Sequence, residues 1–216
     1  MAKRHPKGTD SSLVIIDMSM LIALVRSEDP LHPVAAEAFS RLKRPCRFAV
    51  CEATLERLAQ RLEETRLAVR VLEAVAPELY EAEYEKHRAR TLAPHFVLAY
   101  RNSYDAFVLE MFTALSDLIR DHSIEILPPP RDAKASRQLT GKILELLPNE
   151  EGPRAAYVAT LLTTAVEAAR DGVRHCAIWT LHPSVAHYEL VAKLAGLKGV
   201  SLGVGSLAVT HGEGAS

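Results

Sequence analysis

The sequence predicts an α/β fold, a three-layer α/β/α sandwich with a central, mostly parallel sheet. Two observations lead there. Short, unbroken apolar runs recur along the chain, and residues at helical spacing separate each run from the next. Leu13-Val14-Ile15-Ile16 is the clearest run, and such continuous apolarity suits a strand covered on both faces. Strands separated by helices pair in parallel through right-handed crossovers.

Taken in order, residues 1–12 are polar and basic and read as a flexible lead-in. The first strand closes at Asp17, where Met18 to Leu24 opens a helix. Ser27 to Pro33 forms a turn with Pro30 and Pro33 as breakers, and Val34 to Lys43 resumes as helix. Pro45 introduces a second strand, Arg47 to Cys51. From Glu52 to about Arg90 the pattern is helical, with Leu55, Leu58 and Leu62 on one face and Pro77 dividing the segment. Pro94 makes another break before an amphipathic helix over Tyr100 to Arg120. The stretch of about 65–122 is too long for one crossover and reads as an inserted helical layer. Ile124 to Leu127 is a strand stopped by Pro128-Pro129-Pro130, and Lys134 to Leu147 is a helix. A strongly apolar helix follows from about Arg154 to Arg170, ended by Asp171-Gly172. Val173 to Thr180 is the fourth strand, Ser184 to Leu194 a helix, and a last strand lies near Gly199 to Val204. The whole reads as a single domain over 13–204 with a flexible tail at 205–216.

Composition narrows the function. With 26 basic against 27 acidic residues there is no whole-molecule field to attract nucleic acid, so any such contact needs a local basic face. The three cysteines, Cys46, Cys51 and Cys176, have no zinc spacing and suit a reducing cytoplasm. Lys3, Arg4 and Lys7 ahead of the run Leu13 to Val25 superficially resemble an export signal. Asp17 inside that run, and the lack of a small-x-small site after it, favour a buried strand and a cytoplasmic protein.

Ligands of a doubly wound sheet collect outside the carboxyl ends of its strands. Asp17 ends the first strand, Glu52 and Glu56 follow the second, and Thr180-Leu181-His182 ends the fourth. A carboxylate at the end of an apolar strand is costly unless its charge is balanced. A hard divalent cation, magnesium or manganese, is one way to balance it, and helix capping by Asp17 is another.

The stretch Val14 to Leu24, a strand followed by Asp17, Met18, Ser19 and an apolar helix, resembles the opening motif of the PIN-domain ribonucleases. Met18 stands where that family usually has threonine. Phe48 to Leu58 is similar to its second motif, with Glu56 in the register of the family's acid. Ile124 to Pro128 and Ala177 to Thr180 are similar to its later strands, so the resemblance covers roughly 13–60 and 124–204. It implies a metal-dependent endoribonuclease, toxin-like or RNA-processing. Asp17 and Glu56 would be the magnesium or manganese ligands, with Glu151 as a further catalytic acid. Ser19, Thr180 and His182 would support or substitute for the ligands.

Two departures point the other way. Ala155 holds the register of an aspartate at the start of the late helix, with Glu150 and Glu151 just upstream. His182 holds the register of another aspartate and adds no negative charge. The second expectation is therefore a catalytically impaired PIN-like module that binds RNA or a protein partner such as an antitoxin, self-association being left open. Arg131, Lys134, Arg137 and Lys142 form a basic stripe that suits RNA phosphates or simply a solvated helix face.

Overall fold

A computed structural model of the chain describes residues 12–41, 46–75, 104–173, 175–181 and 202–206. The expected helix over Ser184 to Leu194, together with His182, Pro77 and Pro94, lies outside the described residues. Within them the fold is the α/β sandwich that the alternation of apolar runs predicts. The strands are β1 (Ser12–Ile16), β2 (Cys46–Cys51), β3 (Glu125–Leu127), β4 (His175–Thr180) and β5 (Leu202–Ser206). The described helices are α1 (Met18–Val25), α2 (His32–Arg41), α3 (Glu52–Val75), α4 (Tyr104–Asp121), α5 (Ala133–Leu146) and α6 (Gly152–Arg170).

Among the described residues all strand pairings are parallel, in the order β3-β2-β1-β4-β5. β1 lies at the centre, with Ile15 beside Ala49 on one side and Ile178 on the other. The chain reverses its direction of travel across the sheet between β1 and β4, and such a reversal opens a crevice at the carboxyl ends of the strands.

Alternation along the strands sorts the core into two halves. Leu13 and Ile15 of β1, with Ala49 and Cys51 of β2, pack beneath α5 and α6 against Ile143, Val158 and Leu162. Ile16 and Val50 face the opposite way, into Met20 and Leu21 of α1, Leu58 and Leu62 of α3, and Met111 and Leu115 of α4. A fully buried leucine or isoleucine in these layers contributes about 1.5–3 kcal/mol. Thr163, buried in α6, satisfies its hydroxyl by donating to the Ala159 carbonyl at 2.7 Å.

Two local readings need correction. Pro33 does not break the chain but sits in the first turn of α2, where its missing N–H costs nothing. The helix after Pro148 begins at Gly152, ahead of the expected Arg154, with Pro153 in its opening turn. Gly172, expected to end that helix, does so with φ at +107°, a left-handed conformation that side-chain-bearing residues avoid.

Candidate functional site

Asp17 is the last residue before α1 and has extended backbone angles, φ −76° and ψ 162°. Its N–H completes the ladder to β4 by donating to the Trp179 carbonyl at 2.8 Å. Its side chain is therefore delivered to the switch between β1 and β4. There it is only 7% exposed, so the ionised carboxylate needs partners.

The partners come from three parts of the fold. Oδ1 accepts from the Met18 N–H at 2.6 Å, which caps α1, and from the Tyr157 hydroxyl of α6. Oδ2 accepts from the Ser19 hydroxyl at 2.9 Å and from the Thr180 hydroxyl at 2.6 Å. Ser19 in turn accepts the Leu181 N–H at 3.0 Å, which ties the end of β4 to the start of α1. The phenol of Tyr157 also lies 3.2 Å from the Thr54 hydroxyl of α3 and accepts the Met18 N–H at 3.2 Å. Its pKa is held well above that of a free tyrosine, first by burial and then by the charge and hydrogen bond of Asp17.

Beside this hub lies a cavity of about 360 Å³. Asp17, Ser19 and Thr180 form part of its wall, and Val158, Leu161 and Ile178 supply apolar surface. Three arginines, Arg57 and Arg61 of α3 and Arg154 of α6, also line it, as do Glu150 and Glu151. Arg154 Nε lies 3.4 Å from Glu150 Oε2, one turn away across the helix start. Glu151 is the N-cap residue of α6, but its side chain makes no capping hydrogen bond. Arg57 Nη1 is buried, makes no hydrogen bond, and has Glu64 Oε1 at 3.6 Å.

The structure brings Asp17, Ser19, Thr180 and Glu151 together around this cavity. It does not bring Glu56 there. Glu56 is exposed on α3, and its neighbour Arg57 lines the cavity instead. One residue along a helix is a rotation of about 100°, and Thr54, Leu58 and Leu62, all buried, fix which face of α3 points inward. Ala155 is fully buried, so no carboxylate fits at that register without displacing core atoms. Arg131, Lys134, Arg137 and Lys142 are exposed on and before α5 and take no part in the cavity. Arg131 lies 3.4 Å from Asp171, and Arg137 Nε donates to the Ala133 carbonyl at 3.3 Å.

Sequence reading missed Tyr157 and the arginines. A lone tyrosine near the start of a strongly apolar helix, and arginines four apart on the helix after β2, were the available signals.

Among the described residues no group of three or more histidine, cysteine, aspartate or glutamate side chains is arranged to hold a metal ion. No described helix is long and apolar enough to cross a membrane. No protein-family model, no curated protein and no solved structure matches this chain.

Proposed function

We propose that the chain is a PIN-like module that binds RNA without cutting it, with Asp17 serving as a structural hub. The observation that carries this is the bonding of Asp17. A carboxylate offers about four lone-pair sites. Here Met18 N–H, Tyr157, Ser19 and Thr180 engage both oxygens. A magnesium or manganese ion needs those same lone pairs and several further oxygens around it. The second expected ligand, Glu56, stands exposed off the cavity, and Arg57, Arg61 and Arg154 are among the residues that line it. The donor set among the described residues therefore does not fit such an ion.

RNA as the partner rests on the resemblance of the strand motifs to PIN ribonucleases, joined to the arginine-lined cavity at the ends of β1 and β4. Arginine suits phosphate because its planar fork meets two oxygens at once. Fluorescence anisotropy with labelled structured RNA tests the reading. Binding should be the same in EDTA and in manganese, and should weaken steeply with salt. Binding that appears only with the divalent ion overturns it. Binding of no RNA under any condition overturns it as well.

A further inference from the structure

We infer that the cavity beside Asp17 is a phosphomonoester pocket, sized for one nucleotide. It relies on the RNA-binding reading only for the source of the phosphate, a strand end or a free nucleotide. The first support is Arg57, whose side chain is 17% exposed. Its buried Nη1 makes no hydrogen bond, and Glu64 at 3.6 Å is too distant to supply one. A buried donor without an acceptor is costly, and a rotation of the guanidinium toward the cavity that Arg57 lines brings this nitrogen to a ligand oxygen and removes that cost.

The second support is how the cavity's charges are disposed. Arg61 lies one helical turn beyond Arg57, and Arg154 enters from the start of α6, steered by Glu150 at 3.4 Å. The Asp17 oxygens are occupied by neutral donors from the protein, so that acid keeps its charge but does not compete with a phosphate for the arginine donors. Of the two glutamates in the wall, Glu150 lies beside Arg154, whereas Glu151 makes no capping bond, so its charge opposes an incoming phosphate. The third support is the apolar wall of Val158, Leu161 and Ile178, against which a base or ribose packs while the phosphate meets the guanidinium groups. A volume of about 360 Å³ is at the small end of ligand pockets and holds a nucleotide rather than a strand.

Calorimetric titration of the full chain tests this, with adenosine monophosphate, adenosine, and a short oligoadenylate with or without a terminal phosphate. Adenosine monophosphate should bind at least about tenfold more tightly than adenosine, since a charge-assisted pair of hydrogen bonds is at stake. Arg57→Gln and Arg61→Gln should each erase most of that preference. Should Arg57→Gln fail to fold, the more exposed Arg61 carries the test. Glu151→Gln should tighten phosphate binding, whereas it would weaken a cation site. A phosphate preference shared by the oligonucleotide identifies a strand end as the source. Preference for the mononucleotide with no oligonucleotide binding sustains the pocket while removing the RNA reading. Equal binding of adenosine and its monophosphate overturns the inference even if RNA binds. So does a phosphate preference that both arginine variants leave intact, or a loss of affinity in Glu151→Gln.

Discussion

Replacing Asp17 by asparagine separates a structural hub from a carboxylate kept for a cation, because the two readings predict opposite signs. The amide keeps the size of the side chain but carries one acceptor and one donor group. Met18 N–H can only donate, so the amide oxygen must take the Oδ1 position, where Tyr157 also donates. The amide nitrogen then faces the Ser19 and Thr180 hydroxyls, which can turn to accept because neither hydrogen is fixed by geometry. The network survives in altered form, but its bonds lose their charge assistance. Hydrogen bonds to charged groups contribute about 1.5–3 kcal/mol, against about 0.5–1.5 for neutral ones. Part of that loss over four bonds is offset by no longer burying an ion. A net destabilisation of about 1–3 kcal/mol follows, and it lowers the melting temperature by about 2–12 °C in a domain of this size. Asp17→Ala is harsher, since it strands several buried donors at about 1–3 kcal/mol each, a large share of a domain's 5–15. The assay is urea unfolding with EDTA present throughout, so that no ion contributes. Asparagine that leaves stability unchanged or raises it would refute the hub, because relief of an unpaired charge would then dominate.

The remaining predictions concern buried groups. Burial and Asp17 raise the Tyr157 pKa in the folded state, so the folded protein holds that proton longer than the unfolded chain does. The sign follows from linkage: the stabilisation is full below the free tyrosine value of about 10 and falls as pH rises beyond it, by about 1.4 kcal/mol per unit. Tyr157→Phe should flatten that part of the stability profile, and an unchanged alkaline slope would count against the buried phenol. Burial likewise pushes the Cys51 thiol up to about 12 and the Cys176 thiol up to about 11, whereas Cys46 is part-exposed. In the native protein at neutral pH, a thiol reagent should label Cys46 quickly and the other two only on unfolding. Rapid labelling of all three would contradict the packing of β2 and β4.

Most of the fold was legible because strand burial leaves a direct trace. Leu13 to Ile16 has to be apolar on both faces, and it lies at the centre of the sheet with helices on each side. Helix ends were less legible. Pro33 looks like a breaker in isolation, but a proline in the first turn fits a helix as well as a turn. Asp17 was identifiable from its place at a strand end, and of its two readings the cap is the one seen, through the Met18 N–H. What pairs with it was not readable. Tyr157 is 140 residues away and Thr180 is 163 away, so only the crossover geometry brings them in. Glu56 and Arg57 differ by one position, and periodicity alone does not say which of two polar neighbours faces a crevice.

On the proposed reading, Asp17 stabilises the junction of β1, α1 and β4 and serves no metal-dependent cleavage. Incubating the purified chain with end-labelled structured RNA in magnesium and in manganese, then resolving the products on a denaturing gel, tests it most directly. Intact RNA is expected with either ion, in the same samples where anisotropy reports binding. Cleavage that requires the ion and disappears in a folded Asp17→Asn protein would contradict it, and would return Asp17 to the role of a metal ligand.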